Sequence, residues 1–450
     1  MARKHSRFLS ATLSSLIITA LILAAGCSQS SNLTFSGRIL NSDTGEGIQD
    51  VRVTVNGVLA TGTDPEGSFE LTNIQAGAQI RFSKDGWLLA PNIIAASESQ
   101  PNVIIKGIKQ AKPFAQLSCG QFHSVALAGD GTVWAWGHNN FGQIGNDTIT
   151  EMASLTQAVG LTNVTAISAC FTQNAALKED GTVWVWGRST KKPVHVKGLD
   201  HVSAVAAGWS HFLALKSDGT VWSWGLNEDG QLGDGTYTHS TTPVKVENLT
   251  GIVAIAASRK HSIALKSDGT IWTWGANDNG QLGLNLAGTN RPKPIPNLTG
   301  IIDIATSATH GVALKNDGTV WAWGENTYGQ LGDGTTTKRT TPVQVVGLTN
   351  VKDIAAGEAH TIALLNDGTV YSWGLNNDGQ LGDGTRNDSL VPQRIQLLNS
   401  ITAIAAGSNF SLAQSSNKIL WVWGSNLHGQ LGDGTTLDRY RPVIMKVDFN

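Results

Sequence analysis

The chain has 450 residues, a formal net charge of −2, 15% charged residues, 51 glycines and 15 tryptophans. That composition excludes a disordered chain or a helical bundle and favours a Gly-turned, β-rich protein of more than one ordinary domain. Three cysteines cannot form a disulfide framework.

The first 26 residues read as a targeting segment. Arg3, Lys4 and Arg7 make a positive start, and Phe8 to Leu23 is an uncharged, largely apolar stretch too short for a comfortable membrane span. Leu23-Ala24-Ala25-Gly26-Cys27 follows and resembles a bacterial lipoprotein cleavage box, with Ala24 where Leu is commoner. The resemblance implies lipidation of Cys27 as the mature N-terminus. Ser28 to Asn32 then forms a polar tether, and the protein is expected to be exported and held at the cell envelope by acyl chains. Removing residues 1–26 takes away three positive charges and no negative ones, so −2 becomes −5. This acidic balance argues against a nucleic-acid partner.

Residues 33–110 read as short strands: Leu33–Leu40, Val51–Val55, Val58–Thr61, Ser68–Leu71, Gln79–Ser83 and Val103–Lys106. Asn56-Gly57 between two of them is a hairpin signal, because both residues of such a turn need positive φ. The expectation is a small antiparallel sandwich. Its pattern (Ser36-Gly37-Arg38-Ile39, Val51-Arg52-Val53, Asp64-Pro65-Glu66-Gly67-Ser68-Phe69 and Lys84-Asp85-Gly86-Trp87) resembles the carboxypeptidase regulatory-like domain. That resemblance implies a non-catalytic spacer. Ala111-Lys112-Pro113 reads as a joint.

From residue 114 to 450 one unit recurs seven times. Its signature is Asp130–Gly137 (DGTVWAWG), and the last copy is eroded to Asn417–Gly424 (NKILWVWG). The closing glycines are 50, 38, 50, 49, 50 and 50 residues apart. No such unit buries a core alone, so neighbours must stack. The sixth unit reads as four strands: Val351–Ala356, His360–Leu365, Thr369–Trp373 and Val391–Leu397, with a Gly-rich loop over 374–387. Four hairpin-joined strands make one propeller blade. Seven copies suit a closed ring, although the count alone leaves an open solenoid as an alternative; the expected fold class is all-β, a seven-bladed β-propeller behind a small N-terminal β-sandwich.

The carrying residues Ala355-Ala356-Gly357, His360, Asp367-Gly368-Thr369-Val370-Tyr371-Ser372-Trp373-Gly374, Asn376 and Gly379-Gln380-Leu381-Gly382-Asp383-Gly384-Thr385 resemble the regulator of chromosome condensation repeat family. The family implies a seven-bladed propeller closed by pairing strands from both chain ends, which would set Arg441–Val447 beside the propeller's start. Activities known in it include nucleotide exchange on a small GTPase, ultraviolet sensing by clustered tryptophans, and inhibition of β-lactamases by a secreted propeller. An exported lipoprotein argues against the GTPase. Trp209 alone occupies its repeat position, so no sensor cluster forms. The third case fits the compartment.

Several patterns carry possible chemistry. The loop Asn376–Thr385 and its copies look like calcium loops but lack the closing acid, so the side chains should satisfy their own turn. His123, His211, His261, His310 and His360 share one repeated position. Equivalent positions spread around a ring, so each should bond within its own or the next blade rather than converge on a metal. Cys119 and Cys170 lie near equivalent positions and leave a disulfide open. No catalytic group, metal site or cofactor is expected. Function should sit where the repeats differ. The loop tips after the first strands should all emerge on one face, and Phe122, Phe171, Trp209, Arg259 and Lys260 suit a protein-binding hot spot there. Packing over neighbouring turns would suit the aromatics equally. The short second unit should leave a notch with a basic rim (Arg188, Lys191, Lys192) on the blade's other side. A non-enzymatic binding protein follows. The alternative is a propeller that binds or cleaves cell-surface polysaccharide, for which the repeat-breaking Glu325, Glu358 and Asp388 look scattered.

Overall fold

The computed structural model describes residues 32–42, 44–84, 87–91, 93–109 and 114–445. The targeting segment, Cys27 and residues 28–31 of the tether lie outside these residues. Among the described residues there is no helix. The chain divides into two compact units between Ile108 and Lys109.

The N-terminal unit has two four-stranded sheets. One runs Ser68–Ile74, Leu33–Asn41, Gln100–Lys109, Trp87–Ala90 in spatial order; the other runs Val58–Gly62, Arg52–Val55, Gln79–Ser83, Ile93–Ala95. Alternation along the strands sends Phe35, Ile39, Val53, Ile80, Phe82 and Ile105 into one shared core. Asn56 and Gly57 take φ of 47° and 83° and join Val55 to Val58. Two features depart from the sequence reading. Trp87–Ala90 and Ile93–Ala95 are extra strands, of 4 and 3 residues, too short to show alternation. The unit is also not wholly antiparallel: Leu33–Asn41 lies parallel to Gln100–Lys109, with Leu40 opposite Lys106. The long excursion through the other strands supplies the crossover that a parallel pair needs.

The second unit has seven four-stranded sheets, each made of strands consecutive in sequence. In the sixth they are Val351–Ala356, His360–Leu365, Val370–Gly374 and Ser389–Arg394. Each Asp-Gly turn is locked by its own side chain, as where Asp367 Oδ1 accepts from Thr369 N at 2.9 Å and from Thr369 Oγ1 at 2.7 Å. The first strands stand innermost. Their small residues, such as Ala206, Ala256 and Ala355, line an axial cavity of about 360 Å³. Neighbouring sheets share their cores: Trp373 of the sixth packs among Leu314, Val320, Leu331 and Val345 of the fifth.

The circle closes, but not as the family resemblance implied. Phe114–Cys119 packs against both Val164–Cys170 and Ile401–Ala406, so the first sheet touches the second and the seventh. Arg439–Ile444 is the outer strand of the seventh sheet, with Val443 opposite Val422, and among the described residues no strand passes between the first and seventh sheets. Side chains make the join. Gln414 stands where the other sheets carry leucine. Its Oε1 accepts from Phe114 N at 3.1 Å and its Nε2 donates to Phe114 O at 2.9 Å. Trp136 Nε1 donates to Gln430 O at 2.9 Å. Seven self-contained sheets meet seam by seam through side chains, so closure needs no exchanged strand.

Candidate functional site

In each repeat the chain leaves the inner strand, forms a short tip and returns as the second strand. The glycine closing the Trp-Gly motif sits directly under that tip. Gly225 has φ of 118°, and a Cβ there would lie 2.3 Å from Ser210 O. That close approach lets Leu226 N donate to Ser210 O at 2.8 Å. The tips and the long loops that follow the third strands are thus bonded together at one end of the propeller.

Phe171, Trp209 and Arg259 hold the same tip position in three consecutive blades. Adjacency around the ring brings them into contact. The Arg259 guanidinium lies 4.8 Å from the Trp209 ring centre and 5.7 Å from that of Phe171. The two rings are 5.9 Å apart and tilted by 47°. Arg259 is exposed and both rings are half-buried, with Phe171 lining the axial cavity. Phe171 has φ of 50°, a left-handed conformation costly for a bulky side chain. Its carbonyl is used there, accepting from Gln121 N at 2.9 Å.

Phe122 and Lys260 do not join this group. Each lies one place further along its tip and reaches back over the preceding blade's long loop. Lys260 Nζ pairs with Asp229 Oδ2 at 3.2 Å. Asn409 makes the same reach, donating to Asp378 Oδ2 at 2.9 Å. Phe122 meets His428, with ring centres 5.0 Å apart. The five residues therefore form one cluster of three, one ion pair and one separate aromatic contact.

Phe122 covers a group that the sequence reading did not single out. Glu151 Oε1 lies 3.0 Å from His428 Nδ1 and 3.5 Å from His138 Nε2, and the two imidazoles stand 4.5 Å apart. The three ligand-type atoms are close enough to hold a metal ion. The hydrogen bonds favour another reading. Gln143 Oε1 accepts from Phe141 N, and its Nε2 donates to His138 Nδ1 at 2.8 Å. That fixes the His138 proton on Nε2, facing Glu151, where a metal would need a lone pair. The group acts as a polar clasp across the seam between blades one and seven. His138 and His428 stand at different loop positions, so only ring closure reveals them as neighbours.

The repeated histidines stay apart, each bonding to the next blade. His123 Nε2 is 2.7 Å from Asn174 Oδ1, His211 Nε2 is 2.9 Å from Ser262 Oγ, and His310 Nε2 is 3.1 Å from Thr361 Oγ1. Burial holds His211, His261 and His360 down to about 3, and His123 and His310 to about 4. The loops that resemble calcium sites are tied to themselves. Asn376 Oδ1 accepts from Leu381 N at 3.0 Å while its Nδ2 donates to Asn387 O at 3.0 Å. Asp388 caps Asn376 N, and Glu325 bonds Thr327, so both acids are engaged locally. Cys119 and Cys170 are separate free thiols; burial pushes the Cys170 thiol up to about 12.

The basic notch is on the tip end, not the other side of the blade. Arg188 N donates to Thr172 O, the tip carbonyl of its own blade, at 3.1 Å. Arg188 and Ser189 take φ of 47° and 82°, forming a two-residue turn that joins Gly187 to Thr190. The turn replaces a long loop at the same end. Arg188, Lys191 and Lys192 are all exposed, with Lys192 Nζ 3.8 Å from Asp147.

These features define a β-propeller whose repeated residues hold the frame and whose irregular residues gather at one end. Residues 189–450 match the RCC1-like domain, and residues 114–143 match the regulator of chromosome condensation (RCC1) repeat. The chain belongs to the RCC1-like domain family. Among solved structures it is similar to Prp20p from Saccharomyces cerevisiae, described with its binding properties to Gsp1p and histones. The identity is 25%, the TM-score 0.59, and the match covers 66% of this chain and 81% of that one. Yeast RCC1 (Prp20) bound to Kap60 matches at 22% identity and TM-score 0.64, over 74% of this chain and 85% of that one. Human WBSCR16 matches at 22% identity and TM-score 0.54, over 88% and 93% respectively.

Proposed function

We propose that this protein is a non-enzymatic binding protein whose propeller presents Phe171, Trp209 and Arg259 to a protein partner. The observation that carries the reading is the group itself: an exposed guanidinium laid on two half-buried rings, one of which, Phe171, is held at positive φ. Frame packing alone has no use for an exposed cation there. Aromatic and arginine side chains are the types that dominate binding hot spots. The protein binding described for Prp20p supports the same class of role.

The targeting segment and Cys27 support a place at the cell envelope, with the N-terminal unit as a carboxypeptidase-regulatory-like spacer. In that compartment the partner is an envelope or extracellular protein and not a small GTPase. Glu325 and Asp388, the acids that the polysaccharide-cleaving alternative would draw on, are engaged locally and do not converge. The test is cross-linking capture from the native envelope with the wild type and with F171A/W209A/R259A. The wild type should enrich a defined partner, and the triple variant, with unchanged circular dichroism, should lose it. Equal capture by both would reject this face.

A further inference from the structure

Six of the seven seams are sealed in the same way. The long loop of one blade lies over the next, and its glutamine carbonyl accepts the indole N–H of the tryptophan just before that blade's closing glycine. The pairs are Trp186 with Gln143, Trp274 with Gln231, Trp323 with Gln281, Trp373 with Gln330, Trp423 with Gln380 and Trp136 with Gln430, all at 2.8–3.0 Å. The residue after each glutamine is a fully buried Leu or Ile.

The seam between blades two and three breaks this rule. Blade two turns back at Arg188-Ser189, so no glutamine loop reaches Trp224. Trp224 is 6% exposed, where its six counterparts are 0–1%. Phe212 takes the place that holds Ser, Thr or Asn in five other blades, and it stacks on Trp224 at 5.3 Å and 18°. Gln173 replaces the repeated histidine and faces Phe212's blade with no hydroxyl to meet. Gln173 Oε1 and Ser210 Oγ are buried with no hydrogen-bond partner among the described residues. Both line a groove of about 610 Å³ together with Trp224, Phe212, Arg188 and Lys197.

We propose that this groove receives a surface turn of a partner protein, inserted as the chain's own loops are at the other seams. The groove specifies its occupant. A main-chain carbonyl would accept from Trp224 Nε1, an N–H would serve Gln173 Oε1, and an apolar side chain would cover the Phe212–Trp224 stack. Arg188 and Lys197 on the rim call for an acidic residue beside that turn. The chain's own Gly379-Gln380-Leu381-Gly382-Asp383 has this order of chemistry. The proposal rests on the broken seam and not on the Phe171–Trp209–Arg259 group, so each can fail alone.

The test uses a cyclised synthetic peptide with the sequence of residues 376–385, titrated into the intact protein by calorimetry. Binding is expected at one site, with a shift of a single indole N–H signal. W224F should weaken it about tenfold, the loss of one hydrogen bond. Grafting residues 375–388 in place of Arg188-Ser189 should abolish it by filling the groove. F171A/W209A/R259A should bind the peptide as the wild type does. No binding by the wild type, or equal binding by W224F, would overturn the proposal. So would dimerisation of the protein through this seam.

Discussion

Acid should open the propeller, and the five buried histidines should drive it. His360 shows the reasoning. It is fully buried, its Nε2 lies 3.0 Å from Ser411 Oγ, and burial lowers its pKa from 6.5 to about 3. In the unfolded chain the same ring takes a proton near pH 6.5. Between these values the unfolded state binds more protons, so stability rises with pH and is lost as pH falls. Above pH 6.5 the contribution is fully present. At pH 5 each such histidine costs on the order of 2 kcal/mol, and five cost on the order of 10 kcal/mol, comparable with the whole stability of a typical domain. Asp353 and Asp303 work the other way. Burial, with Asp303 beside it, raises the Asp353 pKa from 3.8 to about 7, and burial raises that of Asp303 too, so both favour the folded state at lower pH; two such groups do not offset five. Urea unfolding followed by tryptophan emission at several pH values between 7.5 and 4.5 measures the slope. H360Q, which copies the residue blade two carries at this position, should lower that slope by about 1.4 kcal/mol per pH unit, one proton fewer. A flat wild-type profile, or an H360Q slope equal to the wild type's, would refute the argument.

Two further outcomes follow from the seams. Q414L should destabilise the ring by about 2–4 kcal/mol, because both backbone groups of Phe114 lose their amide partner; a lower urea midpoint at unchanged m-value would show it. W373F should cost about 1–3 kcal/mol more than W224F in the same assay, since only Trp373 has a carbonyl to abandon. Equal costs would mean that the Gln330 carbonyl contributes nothing.

The repeat made most of the frame legible in advance. Alternation in Val-Trp-Ala-Trp-Gly, the Asp-Gly turns and the small inner strands each obey local rules, so strands, hairpins and the blade appear in the letters. The tip residues were legible as types but not as neighbours. Phe171, Trp209 and Arg259 meet because they hold one register position in adjacent blades, while Phe122 and Lys260, one place later, turn back to the preceding blade. A one-residue offset decides which seam a side chain faces, and only the folded tip fixes that offset. The short second unit was visible as a gap of 38 residues between glycines, but its end of the blade was misread, because strand direction sets where a loop emerges.

Sequence alone determined the repeating sheet and its buried indoles, since these depend on neighbours a few residues away. Closure, the His138–Glu151–His428 clasp and the uncovered Trp224 were decided only by tertiary structure. Each joins groups from different blades, and the circle that brings them together is a property of the whole ring.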